Sequence, residues 1–289
     1  MAGDGRPRES IVRVAVIGAG TMGAQISALA ARAGFSVSLF DADTGALERA
    51  KSRIDDAILP AMKATLPPAR ASVPRAISFA ASLEGAVSGA DLVIEAVRED
   101  QDVKRGLFAE LSRLAPNAIL ATNSSSIPSS ALADSVDNPG RLLNMHFFAP
   151  VWVRTILEVM SCGFSDEKVV EAARGFGEAL GLTTAVVRKE SKGFIMNRIW
   201  RAAKRESLRV VDEGIATPEE VDSMFRIFFE TRHAPFTMMD MIGLDVIRDV
   251  EWSYQRDTLD PTDKPSPILR RLIAEGKLGE KTGEGFYTH

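Results

Sequence analysis

The stretch "VAVIGAGTMGAQISALAARAG", residues 14–34, decides the fold. A continuous apolar run stops at a glycine turn, and a helical pattern begins directly after it. Gly18, Gly20 and Gly23 stand in G-x-G-x-x-G spacing. The spacing alone is a weak signal, but placed between a strand and a helix it has the context of a dinucleotide-binding loop. Gly18 permits the tight turn, Gly20 lets the backbone approach a pyrophosphate, and Gly23 lets helix and strand pack closely. The helix start offers free N–H groups and a partial positive charge to phosphates. The next apolar run, "SVSLFD", ends at Asp41. A carboxylate there accepts hydrogen bonds from a ribose 2′-hydroxyl and repels a 2′-phosphate, so NAD is expected rather than NADP. Arg49 and Arg53 lie too far on to form a 2′-phosphate clamp.

The alternation continues outward from this unit. "AISFAAS", "DLVIEAV", "AILATNSS", "LLNMHFF" and "TTAVVRK" read as strands. Several are apolar throughout, as strands covered on both faces are. Helical patterns between them predict βαβ units and a mainly parallel, Rossmann-type sheet. The proline-rich "ATLPPARASVPRA" (64–76) predicts a loop or a short helical turn. Near residue 190 the strand patterns stop. "GFIMNRIWRAAKRESLRVVDEG", "TPEEVDSMFRIFFE", "PFTMMDMIGLDVIRDVEWSYQRD" and "SPILRRLIAEG" all have helical spacing. Thr217, Pro218 and Glu220 form a capping-box signature. The expected organisation is an α/β domain over residues 11–190 and an all-helical domain over 191–289.

Bulk properties bound the function. The 289 residues suit two domains, and 45% hydrophobic with 26% charged residues is ordinary for a globular protein. A formal net charge of −4 leaves no basic footprint for nucleic acid. The one cysteine, Cys162, precludes an intramolecular disulfide and a cysteine metal cluster, so no metal is expected and a reducing compartment is. "MAGDGRPRES" has no apolar signal core and reads as a short disordered tail. A cytoplasmic location without membrane contact is therefore expected.

"HFFAPVWVRTILEV", residues 146–159, holds one of three histidines and a lone carboxylate, Glu158. Read by itself, the stretch leaves two options open: a proton-transfer pair, or a core histidine beside a surface glutamate. The ordered set "VIGAGTMGAQIS", "DLVIEAVRED", "ATNSSSIP", "HFFAPV…LEV", "KGFIMNR", "PFTMMDMIGLDV" and "GEKTGEGFY" resembles the 3-hydroxyacyl-CoA dehydrogenases along nearly the whole chain. That resemblance implies an NAD-dependent oxidoreductase of fatty acid metabolism, with a Rossmann-type domain followed by a helical domain that dimerises.

It also implies roles. His146 matches the catalytic histidine and Glu158 the carboxylate that orients it. Ser125 matches a serine that hydrogen-bonds the substrate oxygen, and Asn197 an asparagine near the reacting carbon. The implied cofactor contacts are Gly18, Gly20, Thr21, Met22, Gly23, Asp41, Glu99, Lys104, Asn123 and Lys281. The chemistry agrees: oxidising a secondary alcohol needs a base for the hydroxyl proton, and histidine works near neutral pH in both directions. Met- and Phe-rich stripes in "MMDMIGLDVI" and "MFRIFFE" exceed what a small helical domain easily hides, and point to a homodimer interface.

The chain also departs from the family. The family's "HFFNPVPVMKLVEV" carries Ala149, Trp152, Arg154 and Thr155 here in place of Asn, Pro, Met and Lys. Gly-Pro before a helical motif is Ala234-Pro235, and Lys192 replaces a proline. Ala57 and Ala64 align with a serine and a lysine that contact coenzyme A in the family, although Lys63 is adjacent. An acyl thioester is the expected substrate, and a carrier-bound or free 3-hydroxy acid is the alternative. A third reading, an NAD-binding protein that has lost catalysis, rests on Ala149 alone.

Overall fold

Short runs that are apolar on both faces must be covered on both sides, and here a layered sheet does so. The computed structural model describes residues 11–68 and 76–289. The tail expected over 1–10, and residues 69–75 of the expected proline-rich loop, lie outside these. Eight strands form one sheet: β1 (Arg13–Ile17), β2 (Ser36–Phe40), β3 (Ile77–Phe79), β4 (Leu92–Glu95), β5 (Ile119–Thr122), β6 (Leu142–Phe147), β7 (Ile156–Ser161) and β8 (Thr183–Val187). Their order is β3-β2-β1-β4-β5-β6-β7-β8, and every neighbouring pair is parallel except β6 with β7. The fold is therefore the mainly parallel α/β sheet that the apolar runs predict. The antiparallel β7 is an addition, since only seven of the eight strands are legible as strands.

Helices α1 (Thr21–Arg32), α2 (Thr44–Arg53), α3 (Leu59–Thr65), α4 (Leu83–Val87), α5 (Gln101–Leu114) and α6 (Glu167–Ala179) connect the strands. Side chains alternate across the sheet. Val14 and Val16 of β1 join the core under α1, whereas Ala15 and Ile17 join the core under α5. A π-helical turn over Ile54–Ile58 fuses α2 to α3. The Leu59 N–H bonds to Ile54 O, five residues back, in the turn that precedes Pro60. Proline cannot donate an intrahelical bond, and such widened turns absorb the defect. This excursion is helical as far as Thr65, immediately before the prolines of the expected loop.

Strand order reverses between β1 and β4, and in open α/β sheets ligands bind beyond the carboxyl ends at such a point. The glycine loop leaves β1 there. Asp41 follows β2, Glu99 and Lys104 follow β4, and Asn123 to Ser126 follow β5.

A second compact unit spans Met196–His289, the first ending at Ile195. It contains α7 (Met196–Asp212), α8 (Pro218–Phe228), α9 (Pro235–Ile242), α10 (Leu244–Thr258) and α11 (Pro267–Ala274). Leu208, Phe236, Met239, Leu244, Ile247, Leu269 and Leu272 form its buried core. The capping box at Thr217 and Glu220 is formed. The single helix suggested by "PFTMMDMIGLDVIRDVEWSYQRD" is two, because Gly243 takes φ +102 between α9 and α10. Among the described residues no helix is long and apolar enough to cross a membrane.

The glycine loop yields a paired stability test. A Cβ on Gly23 would lie 1.7 Å from the Gly18 carbonyl oxygen, whereas one on Gly20 meets nothing within 4 Å. Gly23→Ala should lower the unfolding free energy in urea by about 1–3 kcal/mol or more, since backbone must move. Gly20→Ala should cost less than about 1 kcal/mol, the loss of a favoured N-cap residue. Equal losses for the two would contradict the close approach of α1 to β1.

Candidate active site

The glycine loop is crowded on one side and open on the other. Gly18 has φ +106, and a Cβ there would come within 2.6 Å of the Ala96 carbonyl oxygen. Its N–H bonds to the Phe40 carbonyl at 2.7 Å. Gly20 is the N-cap of α1, with no side-chain cap, and its Cβ direction faces open space. Uncapped N–H groups beside open space suit an anionic ligand. Asp41 braces this loop, accepting from Ala19 N at 2.7 Å and from Asp43 N at 2.9 Å. A carboxylate has about four acceptor positions, so these two bonds leave capacity for a ribose hydroxyl. The set fits a dinucleotide: close packing behind the turn, an open face at Gly20, and an acceptor after β2.

Arg53 lies closer to the loop than its sequence distance implies. Its Nη2 donates to the carbonyls of Ala19 at 3.0 Å and Gly20 at 3.1 Å. Arg49 pairs with Asp43 at 2.9 Å. Both guanidinium groups are thus engaged by the protein.

Beyond the loop opens a cleft of about 520 Å³. Gly20, Thr21 and Met22 line one wall, and Arg98, Glu99, Lys104, Asn123, Ser125 and His146 line the rest. Lys104 is 1% exposed, with its ammonium between Glu95 and Glu99. Glu95 also accepts from Thr122 Oγ1 at 2.6 Å and from Val97 N at 2.7 Å. Burial works against charge on Glu99, but hydroxyl bonds from Ser124 and Ser126 and the Lys104 ammonium outweigh it. Its carboxyl is held below the usual carboxylate range, so it is ionised at neutral pH. Ser124, not singled out from the sequence, is the buried hydroxyl of "NSSS", while Ser125 is exposed on the cleft wall. Asn123 Oδ1 accepts from Phe147 N at 2.9 Å, fixing the end of β6 beside the β5 loop.

At the far end of the cleft stands His146. β6 and β7 pair antiparallel in a register that sets His146 directly opposite Glu158. Cross-strand partners have adjacent side chains, and here His146 Nδ1 lies 2.9 Å from Glu158 Oε2. Glu158 is 2% exposed and His146 6%. The other carboxylate oxygen accepts from Ile195 N at 2.9 Å. The imidazole lies near Phe148, 4.3 Å between centroids, and is stacked on Phe194 at 4.8 Å. With Nδ1 facing Glu158, Nε2 is the ring nitrogen left for the cleft.

The first unit thus brings together Gly18, Gly20, Thr21, Met22, Gly23, Asp41, Glu99, Lys104, Asn123, Ser125, His146 and Glu158. Asn197 and Lys281 belong to the second unit. Asn197 is half-buried in the first turn of α7, and Lys281 pairs with Asp245 at 2.5 Å. Sequence reasoning missed Glu95, Ser124, Phe148, Phe194 and the Ile195 amide. Only Glu95 left a signal, a carboxylate inside an apolar strand. Among the described residues no group of three metal-ligating side chains is assembled.

Comparison with known proteins gives the family. Residues 13–191 match the 3-hydroxyacyl-CoA dehydrogenase NAD binding domain, and residues 193–289 match the C-terminal domain of the same family. A probable 3-hydroxybutyryl-CoA dehydrogenase of Deinococcus radiodurans is 34% identical, with 96% of this chain and 100% of that protein aligned. The crystal structure of an (S)-3-hydroxybutyryl-CoA dehydrogenase from Ralstonia eutropha superposes with a TM-score of 0.87 at 30% identity, covering 97% of this chain and 99% of that one. A diketoreductase structure, described as acting on dicarbonyl compounds, gives 0.83 at 31% identity, covering 97% and 99%. The chain belongs to the 3-hydroxyacyl-CoA dehydrogenase family and is an NAD-dependent oxidoreductase.

Proposed function

We propose that the protein interconverts an L-3-hydroxyacyl-CoA and its 3-ketoacyl form, with His146 and Glu158 as the proton-transfer dyad. The observation that carries this reading is the 2.9 Å contact between His146 Nδ1 and Glu158 at the inner end of the nucleotide cleft. NAD, when bound, supplies the hydride chemistry. The chain's own residues handle the proton. Nε2 of His146 takes the hydroxyl proton as the carbonyl forms, and returns it in the reverse direction. Glu158 fixes the tautomer and stabilises the imidazolium. Ser125, on the cleft wall, holds the substrate oxygen, and Asn197 serves the reacting carbon. Glycines 18, 20 and 23 with Thr21 and Met22 would cradle the pyrophosphate when NAD is bound. Asp41 holds the adenosine ribose, and Glu99, Lys104, Asn123 and Lys281 serve the rest of the cofactor.

A second reading keeps the chemistry and changes the handle. Ala57, Lys63 and Ala64 are exposed on the α2–α3 excursion and offer one cation where the family's coenzyme A contacts stand. The similarity to a diketoreductase, which acts on dicarbonyl compounds, favours testing substrates without coenzyme A. Turnover of acetoacetyl-CoA, followed by NADH absorbance against a panel of free 3-keto acids, separates the two.

Three outcomes check this function. His146→Gln should lower kcat by ~10²–10⁴-fold with little change in NADH affinity. Glu158→Gln should also lose rate, and the double variant should be little worse than His146→Gln, because the pair acts as one unit. If steady-state rates per folded molecule stay near wild type, His146 is a core residue and the proton-transfer role is wrong.

The cofactor assignment is tested at the other end of the cleft. kcat/KM should favour NAD(H) over NADP(H), and Asp41→Ala should narrow the gap. Gly20→Ala should weaken NADH binding in a fluorescence titration while the protein stays folded. Equal use of both cofactors by the wild type would overturn the role of Asp41.

Assembly is the third test. Met224, Ile227 and Phe228 of α8 are 71%, 78% and 80% exposed, a larger apolar face than a soluble monomer ordinarily shows. A homodimer that buries this face should scatter light at twice the monomer mass, and Ile227→Glu with Phe228→Glu should halve it. A wild-type monomer at micromolar concentration would refute it.

A further inference from the structure

Three described non-glycine residues have positive φ: Phe194 (+52), Glu230 (+51) and Leu259 (+56). Glu230 and Leu259 are exposed, at places where the chain turns after a helix. Phe194 is different, being 4% exposed and packed with Met160 and Val187. A left-handed backbone at a bulky residue is strained and persists only where the surroundings hold it. Here a tight turn does so: Phe194 N donates to Ser191 O at 3.0 Å, with Gly193 at φ +79. Gly193 takes the turn position that requires positive φ.

The strained residue delivers two groups to one place. The Phe194 ring stacks on the His146 imidazole, 4.8 Å between centroids and 27° between planes. The next amide, Ile195 N–H, donates to Glu158 Oε1 at 2.9 Å. One dipeptide therefore contacts both members of the dyad, on the ring face and on the carboxylate oxygen that His146 does not use. We propose that Phe194 and Ile195 form a positioning element for the His146–Glu158 pair, and that the left-handed backbone at Phe194 is the conformation this task requires. The inference rests on the proton-transfer role given to the dyad.

The electrostatics fix the sign of its effect. An aromatic face attracts an imidazolium more than a neutral imidazole. Leucine at 194 keeps apolar bulk and loses that attraction, whereas tyrosine keeps the ring. The charged group in contact with His146 is Glu158 from β7. Arg98, Glu99 and Lys104 share the cleft from the β4–α5 side, and Lys192 lies in the turn.

The chain has three histidines, so imidazole signals in ¹⁵N-histidine-labelled protein are resolvable, and His146→Gln assigns the one that matters. Phe194→Leu should lower the His146 titration midpoint by about half a unit. The acid limb of kcat/KM should move with it, kcat should fall roughly ten-fold through misorientation, and Phe194→Tyr should restore all three. In wild-type protein the Ile195 amide proton should shift with the midpoint of His146, a reading that needs no variant to fold. Phe194→Leu that melts earlier yet leaves the midpoint, the acid limb and kcat unchanged would make Phe194 a core residue only. An Ile195 amide indifferent to the His146 titration would overturn the proposal independently. The spectroscopic readings stand apart from catalysis: were His146→Gln fully active, the dyad's chemical role would fail while the positioning contacts could still be scored.

Discussion

A buried carboxylate has to be answered by partners, and Glu158 is the carboxylate around which the His146 end of the cleft is arranged. At 2% exposure it has lost nearly all of its water. An unpartnered charge in that position costs several kcal/mol. Its partners come from different parts of the chain, among them His146 on the neighbouring strand and the Ile195 amide thirty-seven residues later. Neither is placed by local sequence. The first depends on the antiparallel register of β6 and β7, because a slip of one residue would send the two side chains to opposite faces. The second depends on the turn at Gly193. A satisfied carboxylate in turn holds one ring nitrogen of His146 and so orients the other. Packing, hydrogen bonding and ring orientation are one constraint seen at three scales.

The nucleotide end of the cleft uses the same device. Glu95 is 0% exposed at the end of β4, and Lys104 reaches it from the first turn of α5. Buried ion pairs are weak evidence of stability but strong determinants of geometry, since losing either partner strands the other. Lys104 also neighbours Glu99, whose remaining acceptors are taken by Ser124 and Ser126. The loops after β4 and β5 are tied together through charge. Asn123 then ties the second loop to β6, one residue beyond His146. Polar contacts thus run from the loop after β4, through the loop after β5, to Phe147, the residue after His146.

Much of this was legible in the residues, and the illegible part has physical causes. The glycine loop, seven strands and the capping box are local patterns, written in periodicity and in residues with special backbone needs. β7 was not legible as a strand. Its run "ILEVMS" follows the equally apolar "FAPVWV", so nothing in hydropathy marks where β6 ends and β7 begins. Gly243 hid a helix break, because one glycine in a helical pattern is tolerated as often as it terminates. Arg53 looked remote because distance along α2 was read as distance in space, yet its guanidinium bonds the glycine loop. The His146–Glu158 pairing came from the resemblance, whereas the Ile195 contact with Glu158 could not be read, since a backbone amide carries no sequence signal.

The departures from the family pattern near His146 look at first like a rebuilt substrate site. The local structure gives two of them another explanation. Trp152 is half-buried and packs against the core under α1, so its bulk is not aimed wholly at the cleft. Arg154 donates to the Ala149 carbonyl, spending part of its guanidinium on the backbone where the family has asparagine. Neither residue lines the cleft that contains His146. The other changes nearby in sequence are Ala149, which lacks an amide, and Thr155, which lacks an ammonium, while Lys192 adds a charge in the turn before Phe194. Within the first unit the exposed α2–α3 excursion holds a further set of changed positions. There Ala57 and Ala64 stand where the resemblance implies a hydroxyl and an ammonium, with Lys63 one residue from the second. On a helix one residue is about 100° of rotation, so Lys63 restores the charge without restoring its direction. A ligand gripped at that surface would meet its cation displaced around the helix here, while His146 and Glu158 stand on β6 and β7, separate elements of the sheet. The His146–Glu158 pair and the α2–α3 excursion are built from different elements, so a change in one leaves the packing of the other in place.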